Sequence, residues 1–402
     1  MRETDSIGSR TAAIRKLKGM SGRHLADRAH ISYSLLTKVE TGKAPASPAF
    51  TAAVARALAV PVNDLTGQPY RRETRSDELA HAAVPELRRE VASYTLPPAD
   101  EDVPPRPLAE LDAAVTFASE MRHRVNLTRL GEVLPPLLAE LRAATFVART
   151  DTERVQAYRL LAETWAAAGQ FAWKLGYIDL SSMITDRYEW AAAHSDDHLA
   201  VCIGDYMRAG ELVGAGDWTG AERTIAYALR RLEADLGTAA PATWSTWGNL
   251  HLKGALIAAR SGDPDAAWDH HREAQAAADQ TGVDRDDYRM CFGPTNVAIW
   301  GVGLAVELGD GTTAVERSQT LRIPATVQRE RAGHHYIDLA RGYLQHGDKQ
   351  RSLQCLYTAR KVAPQQTRYH PMVHETLYAL ARAERRSTDT LRSLATWVGL
   401  QD

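Results

Sequence analysis

A chain of 402 residues is longer than one hydrophobic core supports, since cores rarely grow past about 250 to 300 residues, so more than one folding unit is expected. Hydrophobic residues at 44% and charged residues at 24% are ordinary for a soluble globular protein, and no apolar run nears the roughly 18 residues that span a bilayer. The net charge of −2 conceals an asymmetry: residues 1–66 carry ten Lys and Arg against five Asp and Glu, a surplus of +5 that leaves −7 for the remainder. Cys202, Cys291 and Cys355 are too dispersed for a disulfide frame, so the expected compartment is the cytoplasm, with no membrane partner.

Five short helices are predicted over residues 7–66. Ile7 to Leu17 forms the first, stopped by Gly19, and Ser21 caps a second that runs to about Arg28. Ser32 caps a third, "YSLLTKVE", closed by Thr41 and Gly42; Ser47 and Pro48 open a fourth through Leu58, and a short fifth follows Pro61. Serine hydroxyls accept from the otherwise unpaired N–H groups of a first helical turn, and glycine closes the last one. Residues 67–107 change character, with one helix from Asp77 to Ser93 and then "TLPPADEDVPPRP", where five prolines within residues 97–107 prevent a helix and form a semi-rigid linker. From Leu108 to residue 402 alanine and leucine recur at helical spacing, without β-branched alternation. The expected fold is all-α: a five-helix unit over 1–66, a linker with one helix over 67–107, and a helical repeat unit over 108–402.

Glycine recurs in the second half at Gly169, Gly216, Gly262, Gly309 and Gly347, at intervals of 47, 46, 47 and 38. Seven residues before each lie Ala162, Ala209, Ala255, Val302 and Ala340; five after lie Lys174, Ala221, Ala267, Ala314 and Ser352. Small residues at those offsets let two antiparallel helices approach closely, with glycine at the turn between them. Across residues 150–365 the pattern resembles the tetratricopeptide repeat, although Lys174 departs from it and the units exceed the usual length of about 34 residues. An irregular helical bundle with accidental glycine spacing is the alternative.

The stretch "IRKLKGMSGRHLADRAHISYSLLTKVETGKAPASPAFTAAVARALAV" resembles the helix-turn-helix domain of XRE (Cro/C1-type) transcription regulators. It matches at Leu25 and Ala26 of the second helix, the Ile31-Ser32 turn, Val39-Glu40 and Gly42 at the end of the third, and the later "ARALAV". The resemblance implies that the third helix enters the DNA major groove with its N-terminal residues on base edges. Leu36 and Val39 are taken by the core, which leaves Tyr33, Ser34, Thr37 and Lys38 as base-edge candidates. Arg23, Thr41, Lys43, and Ser21 and Ser32 at helix starts, are candidates for contacts that position the protein on phosphates without selecting sequence. Gly22 stands where many relatives carry glutamine. Arg15 and Glu40 match positions that often pair internally, so structure is their preferred reading.

For the repeats, residues thirteen before each glycine are expected on the concave face: Gln156, Ile203, Asn249, Asn296 and His334. Arg159, Tyr206, Arg260 and Arg341 are expected in the same groove, and Trp300, one helical turn beyond Asn296, as an aromatic wall. Side-chain amides in a ladder can bind both donors and acceptors of an extended peptide; the same asparagines can equally cap or bridge helices, with Trp300 in the core. The histidine pairs His194/His198, His270/His271 and His370/His374 lack further ligands at a recognised spacing, so no metal and no cofactor is expected. No phosphate loop, nucleophile elbow or zinc-protease helix is present, so the chain is not read as an enzyme.

The order of units, together with "LPPLLAEL", "FGPTNVAIW" and "YHPMV", resembles actinobacterial regulators with tetratricopeptide-like C-terminal domains; the layout is also similar to that of peptide-responsive quorum-sensing regulators of Gram-positive bacteria. The resemblance implies a homodimeric transcription regulator that binds a double-stranded DNA operator and responds to a small-molecule or peptide effector, or to a small protein partner. The competing reading is a scaffold whose repeats bind a protein, with the N-terminal unit an auxiliary DNA binder.

Overall fold

The computed structural model describes residues 6–70, 79–99, 104–238, 240–383 and 389–400. Among these the regular structure is helical, apart from one isolated bridge between Arg285 and Phe292. Five helices open the chain: α1 (Ile7–Leu17), α2 (Gly22–Ala29), α3 (Tyr33–Glu40), α4 (Pro48–Leu58) and α5 (Val62–Thr66). The side chains of Ser6, Ser21, Ser32 and Ser47 each accept from the N–H three residues on, a cap that contributes about 1 kcal/mol. Leu25, Ala26, Leu36, Val39, Val54 and Leu58 form the buried interior of this unit.

After it comes α6 (Val84–Ser93); the expected start at Asp77 lies outside the described residues. Val84, Leu87 and Val91 bury the face of α6 in the same apolar cluster as the helices that follow. Six antiparallel hairpins then stack in order: α7 (Leu108–His123) with α8 (Leu127–Val147), α9 (Asp151–Leu175) with α10 (Ile178–Ala193), α11 (His198–Gly214) with α12 (Trp218–Glu233), α13 (Pro241–Ser261) with α14 (Pro264–Thr281), α15 (Pro294–Glu307) with α16 (Gly311–Thr320), and α17 (Arg329–His346) with α18 (Lys349–Val362). The short α19 (Pro364–Tyr369) leads to α20 (Pro371–Ala383) and α21 (Asp389–Val398). This is an α-solenoid.

Gly216, Gly262, Gly309 and Gly347 occupy the hairpin turns with φ of 73°, 90°, 80° and 98°, and the fifth turn glycine is Gly176 at 86°, not Gly169. Gly169 lies inside α9, where an added Cβ would sit 3.4 Å from Ile184 Cγ2 of α10. It therefore holds the small-residue position seven before the turn, equivalent to Ala209 and Ala255, and buried Ser181 holds the position five after. The apparent departure at Lys174 disappears with this register. The first repeat had been shifted by one such offset because two glycines sit seven residues apart.

The solenoid curls until its beginning meets its end. α7 touches α17 and α9 touches α19, Lys174 pairs with Glu330 at 3.0 Å, and Gln365 Nε2 donates to Thr128 Oγ1 at 3.0 Å. The N-terminal unit is docked against this body. Its interior joins one apolar cluster with Ile337, Leu356, Val373, Leu377 and Leu394. The buried Glu375 carboxylate of α20 accepts from Ile7 N–H at 2.9 Å and Ala46 N–H at 3.5 Å. One helical face further along, Arg382 donates to Ser6 Oγ at 3.3 Å, while Asn63 Nδ2 donates to the Gly176 carbonyl at 2.9 Å.

Replacing Glu375 with alanine orphans two buried donors at about 1 to 3 kcal/mol each. Glu375→Ala is expected to lose about 2 to 6 kcal/mol in chemical denaturation; a loss within error shows that the carboxylate does not hold the two units together.

Candidate nucleic-acid interface and concave groove

On α3, Leu36 and Val39 face the core while Tyr33, Ser34, Thr37 and Lys38 are exposed. Ser21, Arg23, Ser32, Thr41 and Lys43 are also exposed, so all nine residues expected at DNA are open to solvent. Arg15 is committed elsewhere. Its Nε and Nη2 donate to Glu40 at 2.7 and 2.8 Å and its Nη1 donates to the Met20 carbonyl at 3.0 Å, a two-pronged grip that ties α1 to the end of α3.

Local hydrogen bonds define what the exposed groups can still offer. Thr37 Oγ1 donates to the Tyr33 carbonyl at 2.9 Å and Thr41 Oγ1 to the Thr37 carbonyl at 2.7 Å, so both hydroxyls present acceptors unless they rotate. The capping oxygens of Ser21 and Ser32 accept from backbone at 3.2 and 3.1 Å and keep their hydroxyl hydrogens for a phosphate oxygen. Gly22 has a structural reason. A Cβ there would lie 2.9 Å from Tyr33 Cε2, so the Tyr33 ring leans over the start of α2 into space that a longer side chain at position 22 would fill, with the Arg23 guanidinium 5.8 Å from its centroid.

The residues expected in the groove fall into linked groups. Arg260 Nε and Arg341 Nη1 both donate to the buried Glu307 carboxylate at 2.8 Å. Arg341 also reaches Asp338 at 3.0 Å, and His334 stands 3.4 Å from the same carboxylate. Asn296 Oδ1 accepts from Arg331 Nε at 2.9 Å and its Nδ2 donates to the Cys291 carbonyl; Arg331 lies 5.6 Å from the Trp300 ring centroid. Trp300 packs on the cluster of Leu252, Ala274, Phe292 and Val297, so its aromatic wall is largely a core face. Tyr206 meets Lys253, whose Nζ is 4.1 Å from the ring centroid. Asn249, one turn before Lys253, is 2% exposed, and its Nδ2 has no partner among the described residues.

Arg159 does not join them. Its side chain is 59% exposed and stands 3.5 Å from Asp197, because its offset was counted from Gly169. Counted from Gly176, the position thirteen before the turn is Glu163, which binds Arg289 at 2.8 Å and Ser119 at 3.0 Å. Lys253, Glu307, Arg331 and Glu163 are the residues that sequence reasoning passed over. Lys253 carried a usable signal in its spacing of four from Asn249.

Charges on this face shift one another. Burial pushes Lys253 down to about 8, with Arg260 and Arg331 adding to the effect, and burial raises Tyr206 to about 12. Among the described residues Lys253 forms no ion pair. Burial opposes ionisation of Glu307, yet Arg260 and Arg341 bring it down to about 2. Between α13–α14 and α15–α16 lies a cleft of about 800 Å³ that includes Trp268, His271, Arg317 and one edge of Glu307.

Residues 7–66 match the family model described as a helix-turn-helix domain, a match confined to the N-terminal unit. No curated protein matches the chain significantly. Among solved structures, the chain is similar to Bacillus thuringiensis PlcR, crystallised in complex with the peptide PapR7 and DNA; the two are 16% identical, the alignment covers 69% of this chain and 96% of that one, and the TM-score is 0.28.

With a folded value near 2 against an ordinary 4.5, ionised Glu307 stabilises the fold fully above pH 4.5 and progressively less as pH falls toward 2. The difference corresponds to about 3 kcal/mol. Denaturation between pH 5 and 3 is expected to be steeper for the native chain than for Glu307→Gln; parallel curves contradict the ion ladder.

Proposed function

We propose that the chain is a sequence-specific DNA-binding transcription regulator of the XRE (Cro/C1) type. The observation that carries this reading is the division of α3, whose Leu36 and Val39 are buried while Tyr33, Ser34, Thr37 and Lys38 are exposed within a unit matched by a helix-turn-helix model. Lys38 supplies donors for guanine acceptors, Ser34 and Thr37 supply short hydroxyls, and the Tyr33 edge supplies an apolar contact for a thymine methyl. Arg23, Thr41, Lys43, Ser21 and Ser32 provide the phosphate contacts. Acting as a homodimer, the protein engages two half-sites about one helical turn apart.

The solenoid is the effector-binding part in this reading. Support comes from its polar face, where among the described residues Lys253 forms no salt bridge, Asn249 Nδ2 is buried without a hydrogen-bond partner, and Arg331 stands beside Trp300. A polar small molecule or peptide that neutralises Lys253 and accepts from Asn249 fits that chemistry. Control of DNA binding then requires that the effector favour one arrangement of the docked N-terminal unit over another.

With an operator obtained by binding selection, Thr37→Ala and Lys38→Ala are each expected to weaken specific binding by about 1 to 3 kcal/mol, roughly five- to 150-fold. Lys43→Ala is expected to weaken binding to all sequences alike and to lower the salt slope by about 1. Unchanged operator affinity in both α3 variants overturns the assignment of the reading face.

A further inference from the structure

Away from these two surfaces, the described residues bring together one compact set of side chains able to ligate a metal: His123, Asp286 and Cys291, with ligand atoms all within 4.8 Å of one another. His123 ends α7. Asp286 and Cys291 come from the loop between α14 and α15, where Arg285 and Phe292 exchange N–H···O bonds of 2.6 and 2.9 Å and so set the two residues inside that bridge opposite each other. Cys291 Sγ is 3.6 Å from His123 Nδ1 and 3.4 Å from Asp286 Oδ1, and His123 Nε2 is 3.0 Å from Asp286 Oδ2.

We propose that this cluster binds a borderline-soft divalent cation, zinc foremost, through Cys291 Sγ, His123 Nδ1 and Asp286 Oδ1, with solvent as the fourth ligand. Zinc–sulfur and zinc–nitrogen bonds of about 2.3 and 2.0 Å set the ligand–ligand edges of a tetrahedron at about 3.5 Å, and the distances from Sγ to its two neighbours are 3.6 and 3.4 Å. A thiolate, an imidazole and one carboxylate select against magnesium and calcium, which take oxygen ligands. On binding, the metal replaces the Cys291 thiol proton, which leaves to solvent; the bound thiolate and carboxylate balance the two charges of the ion.

The surrounding charges fit this placement. Arg122 Nη2 lies 3.2 Å from His123 Nε2, and Arg289 Nη1 lies 4.0 Å from Asp286 Oδ2. Both cations approach Nε2 and Oδ2, the atoms of His123 and Asp286 that the metal does not use, and Arg122 and Arg331 are the cations near Cys291. A nucleophilic thiol is the rival reading of a Cys–His–Asp set. Cys291 is 6% exposed, too enclosed for a thiol that must attack an external substrate.

Such a site ties the first hairpin of the solenoid to a loop 163 residues away. Asn296 links it to the groove, because its Nδ2 donates to the Cys291 carbonyl while its Oδ1 accepts from Arg331. Metal occupancy therefore fixes both the closure of the solenoid and the posture of Arg331. This claim stands independently of DNA recognition.

Cobalt(II) titrated into the full chain is the test. One equivalent is expected to bind with a thiolate-to-cobalt charge-transfer band that zinc abolishes by displacement, and native mass spectrometry is expected to find one zinc per chain. Cys291→Ser is expected to lose the band, and Asp286→Asn, which keeps the shape of the side chain, to bind cobalt at least tenfold more weakly while remaining folded by circular dichroism. Absence of the band in the native chain, or its persistence in Cys291→Ser through Cys202 or Cys355, overturns the proposal.

Discussion

Two antiparallel helices can pack at backbone distance only where neither carries bulk at the crossing, and this requirement organises the solenoid. Five of the six hairpins have a left-handed glycine at the turn, a small or slender residue seven positions before it and an alanine or serine five positions after, from Gly169 and Ser181 around Gly176 to Ala340 and Ser352 around Gly347. Register follows from that contact. That register places Glu163, Asn249, Asn296 and His334 at equivalent points of their first helices, thirteen before each turn glycine. Closure of the curl then brings charges from distant hairpins together, as in the Lys174–Glu330 pair, while stacking of adjacent hairpins builds the Arg260–Glu307–Arg341 ladder.

The N-terminal unit does not hang from a linker. Glu375 and Arg382 reach it from α20, Asn63 reaches back to the Gly176 turn, and the apolar interiors are continuous. In the proposed reading this changes how an effector acts: a ligand on the concave face has a packed body through which to bias the placement of α3, rather than a loosely tethered head to capture. Buried polar contacts such as those of Glu375 specify one docked arrangement, because any other leaves the carboxylate and two N–H groups unpaired.

Much of the fold was legible because its signals are local. The serine caps at Ser21, Ser32 and Ser47, the stops at Gly19 and Gly42, and the apolar spacing of Leu25, Leu36 and Val39 need only neighbours within a turn or two. The Arg15–Glu40 pair was legible from the motif, and the turns at Gly216, Gly262, Gly309 and Gly347 from their period. Gly169 misled because it satisfies the period better than Gly176 does, lying 47 rather than 40 residues before Gly216, and only the packing against Ile184 distinguishes a crossing from a turn. That slip carried Gln156 and Arg159 with it. Contacts between different elements had no sequence signature at all: His123 lies far from Asp286 and Cys291 along the chain, Glu307 acquires its partners from the two neighbouring hairpins, and the lean of Tyr33 over Gly22 joins two helices.

The central claim is that the exposed side of α3 reads DNA as one half of a two-fold pair. Binding selection with the full-length protein on random duplex DNA tests it most directly. The account predicts an enriched inverted repeat with half-site centres about 10 base pairs, or 34 Å, apart. Recovery of no sequence above the starting pool, with binding that depends only on salt, would contradict it.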